Sequence, residues 1–121
     1  MLYEVAYDAG RGCIVTRIDG ALDIPVAKEF LAELARVIST SGCERVLIDL
    51  RAAVLMLSMG DLYFAARLPP EAGIPIGIKS AAIVAEKDWF KYSFLGRVAR
   101  DQGQTVRMFT DPDEAIRWLM G

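Results

Sequence analysis

Arg45-Val-Leu-Ile-Asp-Leu50 is a nearly continuous apolar run. A strand with one wet face alternates apolar and polar side chains, whereas a strand covered on both faces does not. The run therefore predicts a central strand of a largely parallel sheet with helices on each side. Ile78 to Ala85 has the same character, and Thr105 to Thr110 reads as a shorter strand. The spaces between carry helical periodicity. Val26, Phe30, Leu34, Val37 and Ile38 follow helical spacing within Asp23 to Thr40, with Lys28, Glu29, Glu33 and Arg36 elsewhere on the wheel. Asp23 suits an N-cap, Pro25 a first turn, and Gly42 the end of that helix.

Further along, Ser58 to Leu68 reads as a second helix stopped by Pro69-Pro70, and Glu71 to Gly77 as a loop. Lys87 to Gln102 reads as a third helix with Gly103 at its C′ position. Asp111-Pro-Asp-Glu114 opens a last helix running to about Met120, with Asp111 as N-cap, Pro112 at N1 and Glu114 at N3. Upstream, Leu2 to Tyr7 and Cys13 to Ile18 are β-rich runs joined by Asp8-Ala-Gly-Arg-Gly12, which predicts a hairpin. The order is ββαβαβαβα: an α/β chain with a mixed five-stranded sheet and about four helices, read as a single domain over 1–121.

A chain of 121 residues buries a core without metal or disulfide support. Its 14 Lys+Arg against 16 Asp+Glu leave a net charge of −2, which argues against a nucleic-acid partner. A hydrophobic fraction of 54% and a mean hydropathy of +0.30 are high, which leaves apolar surface for a ligand or partner. The absence of histidine removes the Ser-His-Asp triad, the Cys-His nucleophile and His-ligated zinc. Cys13 and Cys43 fall short of a structural zinc site and read as reduced thiols of a cytoplasmic protein. Met1 to Asp8 alternates and carries charge, unlike a signal peptide or anchor. The longest uncharged stretch, Ala52 to Gly60, is far short of the roughly 20 residues of a membrane span, so no stable membrane insertion is expected.

Several of these segments resemble one family. Gly20-Ala-Leu-Asp23, between a strand and a helix, resembles the G-x-L-D turn of STAS domains, the fold of anti-sigma-factor antagonists. Val46-Leu-Ile-Asp-Leu50 resembles the V-x-x-D-L strand of that family. Leu57-Ser-Met-Gly60 stands where STAS antagonists carry D-S-S-G or D-T-S-G. Ala81-Ala-Ile-Val-Ala85, the aromatic helix after it, and Val106-Arg-Met-Phe-Thr-Asp-Pro-Asp-Glu-Ala115 look most like the SpoIIAA-like, or STAS/SEC14-like, branch. The resemblance covers almost the whole chain, and the order of the motifs carries it. It implies a STAS/SpoIIAA-like fold and a non-catalytic regulatory or protein-interaction domain. The alternative it implies is a small hydrophobic-ligand or lipid-binding, SEC14-like protein.

Ser58 is the sharpest candidate site. The resemblance makes it the phosphorylation position that switches partner binding, and a phosphate there meets free backbone N–H groups and the positive end of a helix. The residues alone offer a second reading, because Ser58-x-x-Asp61 is also a capping-box pattern. The chain departs from the family motif: Leu57 replaces its Asp, Met59 its second Ser, and Asp61 would repel an added phosphate. Trp89, Phe90, Tyr92 and Phe94 crowd six helical residues and cannot all enter one core. The expected working surface is Leu57, Ser58, Met59, Gly60, Asp61 and Tyr63, with Trp89, Phe90 and Tyr92 from the third helix. A protein partner or homodimer, or an apolar ligand, would cover it. The carboxylate pairs Asp19/Asp23, Glu86/Asp88 and Asp111/Asp113 sit at turns and helix starts and read as caps. Lys87, Lys91, Arg97 and Arg100 read as a solvated helix face, and no catalytic residue, cofactor or metal is expected.

Overall fold

The structure, a computed structural model, describes residues 2–121. β1 (Tyr3–Asp8) and β2 (Cys13–Ile18) form the hairpin, followed by a short β3 (Gly20–Leu22) and α1 (Ile24–Ser41). β4 (Arg45–Asp49) leads through β5 (Ala53–Leu55) to α2 (Met59–Ala65) and a one-turn α3 (Leu68–Glu71). β6 (Lys79–Ile83), α4 (Trp89–Asp101), β7 (Thr105–Phe109) and α5 (Pro112–Met120) complete the chain. The main sheet has five strands in the order β1-β2-β4-β6-β7, and β3 pairs with β5 in a separate two-stranded sheet. β1 and β2 are antiparallel; β2, β4, β6 and β7 run parallel.

The apolar run quoted first lies at the centre of this sheet, and its two faces feed different cores. Ile14, Ile18, Val46, Ala82 and Met108 face α1 and α4, where they meet Phe30, Leu34, Val37, Ile38 and Tyr92. Cys13, Leu47, Ala81 and Ile83 face the other way and meet Ala115 and Leu119 of α5. The registers Ile14↔Val46, Val46↔Ser80 and Ser80↔Val106 keep these sets on their own sides. A slip of one residue would exchange them. The buried Thr16 is accommodated because its hydroxyl donates to the Leu47 carbonyl at 3.1 Å.

Helix ends follow the sequence reading. The Asp23 carboxylate accepts from the Val26 N–H at 3.0 Å, and Gly42 closes α1 with φ +70°, a conformation that suits a residue without Cβ. Asp111 caps α5 with Pro112 as its first residue.

Three expectations are corrected. Gly20–Leu22, read as a strand end entering a turn, and Ala53–Leu55, expected in no strand, pair as parallel strands, Ala21 opposite Val54. Three residues are too few to show a period, so tertiary pairing decides them. The helix expected over Ser58 to Leu68 divides at Arg67, and Pro69-Pro70 lies inside α3 instead of stopping α2. In a first helical turn proline gives up no hydrogen bond, so the pair starts a helix. The third helix begins at Trp89, after a 3-10 turn over Glu86–Asp88.

Because α5 supplies the buried cover of the second face, Leu119→Ala, at a side chain 1% exposed, is expected to cost about 2–5 kcal/mol. Urea unfolding measures this; a loss under about 1 kcal/mol would show that α5 is not needed to seal that face.

Candidate functional site

The segment from β5 to α2 gathers the predicted residues. Ser58 is the N-cap of α2: its Oγ accepts from the Asp61 N–H at 3.2 Å, and the Asp61 carboxylate accepts from the Ser58 N–H at 3.0 Å. These reciprocal bonds make a capping box. Hydrogen bonds from the Ser58 backbone and then its side chain hold the Asp61 carboxyl below the usual carboxylate range. Just before the cap, the Leu57 carbonyl accepts from Lys91 Nζ at 3.0 Å, tying this loop to α4. At the other end of α2, the Ala66 carbonyl accepts from Gln104 Nε2 at 2.7 Å.

Around this frame the surface is apolar. Met56, Met59, Tyr63 and Phe64 are exposed, and so is Val54 in the preceding strand. Ser58, Gly60 and Asp61 lie in the open among them. Arg67 stands over the Tyr63 ring, 6.0 Å from its centroid. Scattered exposed hydrophobics are ordinary; here four of them follow Val54 within one short segment.

Two of the expected surface residues are not on it. Leu57 is 6% exposed and Tyr92 1% exposed. Tyr92 shares an inward stripe with Leu95 and Ala99, at helical spacing, so α4 turns it into the core. The crowding argument holds for its neighbours, because Trp89 and Phe90 remain exposed. Trp89 lines a separate groove of about 740 Å³ along the open edge at β7, with Arg107, Phe109 and Trp118. The structure thus groups Ser58, Met59, Gly60, Asp61 and Tyr63 and assigns Trp89 elsewhere.

The sequence reading passed over an apolar cavity of about 150 Å³ between the sheet and the helices α1, α2 and α4, lined in part by Leu22, Phe30, Leu57, Leu68, Ala82 and Tyr92. The Tyr92, Leu95, Ala99 spacing was the available signal, since it places a tyrosine on a buried stripe. The Tyr92 hydroxyl is buried and finds no protein partner among the described residues. Burial, then the nearby Asp88, push its ionisation well above the ordinary tyrosine range. The sequence also gave no account of Arg51, whose guanidinium binds the Asp49 carboxylate at 3.0 and 2.9 Å where β4 ends. That contact lowers the Asp49 pKa.

The carboxylate pairs do not converge on a site. Asp23 and Asp111 cap helices, and Asp19 pairs with Arg17 at 2.8 Å. Among the described residues no three His, Cys, Asp or Glu side chains gather to hold a metal ion. Nor, among them, is any helix long and apolar enough to cross a membrane.

This arrangement, a hairpin-led mixed sheet with α2 following its central strands, is the SpoIIAA-like fold. An uncharacterised protein of the DUF3478 family from Shewanella loihica PV-4, with a SpoIIAA-like fold, is 17% identical over 97% of this chain and 93% of its own, at a TM-score of 0.61. An anti-sigma factor antagonist from Mycobacterium paratuberculosis is 11% identical over 98% of this chain and 95% of its own, at a TM-score of 0.64. The anti-sigma factor antagonist SpoIIAA in its unphosphorylated form is 15% identical over 98% of both chains, at a TM-score of 0.55. At these identities the likeness is one of fold. No protein-family model and no curated protein matches the chain.

The capping box makes a pH prediction. A carboxyl whose pKa is lowered by folding adds stability above its unfolded value, about 4, and loses it as pH falls through the folded value. Asp61→Asn is therefore expected to lower the urea midpoint at pH 7, with the gap to wild type closing by about pH 2. A gap of equal size at both pH values would show that the carboxylate charge does not support the cap.

Proposed function

We propose that this chain is a non-catalytic regulatory module that docks a protein partner through the exposed apolar surface of α2. The observation that carries this reading is the concentration of exposed Met56, Met59, Tyr63 and Phe64 around one capped helix. The similarity in fold to anti-sigma factor antagonists supports it. An apolar patch with Arg67 and Asp61 at its border has the make-up of a docking face: large side chains to bury and charges to set register. A second copy of the chain is the partner most directly accessible to experiment. A lipid carrier, the alternative implied by resemblance, needs several hundred cubic ångströms of enclosed apolar space, and the cavity beneath α2 is about 150 Å³.

Ser58 supplies the control point in this reading. Ser58 is exposed, and its hydroxyl already serves as a cap. A phosphate there would displace Oγ from the Asp61 N–H and set nearly two negative charges beside the Asp61 carboxylate. Both effects loosen the first turn of α2, and with it the position of Met59 and Tyr63. The switch acts by disturbing a cap and needs no kinase-like chemistry in the chain itself.

The test is sedimentation velocity on the full chain at tens of micromolar. Wild type is expected to self-associate, whereas Tyr63→Ala and Ser58→Glu sediment as monomers with unchanged circular dichroism. Ser58→Ala removes the cap without adding charge: it should lose about 1 kcal/mol of stability and weaken self-association less than Ser58→Glu does. Wild type and Tyr63→Ala sedimenting alike as dimers would rule out α2 as the contact.

A further inference from the structure

β7 stands at one end of the main sheet, so its outer side has no neighbouring strand. Successive residues of a strand turn their backbone N–H and C=O groups to alternate sides. The Phe109 carbonyl accepts from the Val84 N–H at 2.8 Å and so points to the β6 side. Val106 and Met108 therefore turn their backbone groups to the open edge. Arg100 agrees with this, because its Nη1 reaches over from α4 and donates to the Val106 carbonyl at 3.1 Å. The groove of about 740 Å³ follows this edge: all five residues of β7 line it, between walls from α4 and α5. From these observations we infer that β7 accepts an extended, acidic peptide segment of a partner protein as an added strand.

The walls fit the side chains of an added strand, which alternate between the two faces of the sheet. On the α4 side Trp89 offers an exposed ring, and on the α5 side Phe109 and Trp118 stand with their centroids 5.8 Å apart. Charge sets the chemistry of the occupant. Arg100 and Arg107 outnumber Glu114 in the lining, so the groove is locally positive on a chain whose net charge is −2. A carboxylate directly across from Arg107 is a favourable cross-strand pair, whereas a second copy of β7 brings another arginine to the same edge. Arg100 now holds a neutral carbonyl, and a peptide carboxylate offers it a stronger, charge-assisted bond. Gly96 gives that guanidinium its room: a Cβ there would lie 3.1 Å from Arg100 Nη1 and 3.3 Å from Met108 Cγ. Until a segment arrives, Arg100 covers part of the edge, as charged side chains on edge strands do. When it turns to the peptide carboxylate, the Val106 carbonyl is released to the ladder. The groove is built from β7, α4 and α5, and stands whether or not α2 docks a partner.

Short end-capped peptides of alternating Val and Glu, or Val and Lys, are the probes. They are titrated into the full chain and followed by amide chemical shifts and hydrogen exchange at Met108. The Val/Glu peptide is expected to bind saturably and to slow exchange of the Met108 N–H. At low salt it should bind about tenfold more tightly than the Val/Lys peptide, the worth of a few cross-strand charge pairs. Arg107→Glu, at an exposed position, should erase or invert that preference with unchanged circular dichroism. A fully N-methylated Val/Glu peptide keeps its charge but cannot donate to the ladder, and should bind at least about tenfold more weakly. Tyr63→Ala should bind the Val/Glu peptide as wild type does, which separates this site from α2. Equal affinity for the Val/Glu and Val/Lys peptides would overturn the acidic occupant. Undiminished binding of the N-methylated peptide would overturn strand addition. Met108 protection that rises with protein concentration in the absence of peptide would give the edge to a second copy instead. No saturable shift with any probe would overturn the site itself.

Discussion

The constraint on which everything else rests is the two-sided burial of β4. Val46 is fully buried against one core and Leu47 nearly so against the other, so neither face of the strand tolerates water. A parallel sheet with such a strand at its centre must carry helices on both sides, and the right-handed crossovers between its strands supply them. The cover is unequal. α5, nine residues long, seals one face through Ala115 and Leu119. The other face is spread beneath α1, α2 and α4, and their convergence leaves the apolar cavity.

The segment that carries the candidate docking face is held differently from the core. α2 buries Leu62 completely, Ala66 packs on Val98 and Ala99, and polar tethers complete the hold: the Ser58–Asp61 box, Lys91 on the Leu57 carbonyl, and Gln104 on the Ala66 carbonyl. Elements fixed by a few partly exposed hydrogen bonds open at lower free energy than those fixed by packing. The proposed control by charge at Ser58 draws on that difference. α2 also lies directly above the cavity, since Leu57 and Ala66 face inward while Met59 and Tyr63 face out. One short helix therefore turns one apolar face toward this recess and another toward solvent.

Much of this was legible in the residues. The nearly continuous apolar run at 46–50, the periodicity of Phe30, Leu34, Val37 and Ile38, and the caps at Asp23, Ser58 and Asp111 depend on chemistry within a few residues, and the structure keeps them. What escaped depends on contacts distant in sequence. β3 and β5 exist because Gly20 to Leu22 meets Ala53 to Leu55 more than thirty positions away. Four aromatics in one helix point to the surface when taken together, whereas the spacing of Tyr92 from Leu95 and Ala99 alone points it inward. Leu57 was grouped with the serine it precedes, although the chain turns it inward before the helix starts. Only the spacing of Tyr92, Leu95 and Ala99 points to the cavity, because a space is the property of several segments at once.

A native mass spectrum of the protein purified gently from its own host tests the central claim, docking under control of Ser58, most directly. The account predicts a dimer or a complex with a protein partner, together with a monomeric fraction bearing one phosphate that maps to Ser58. A wholly monomeric, unmodified protein at cellular concentration would contradict it.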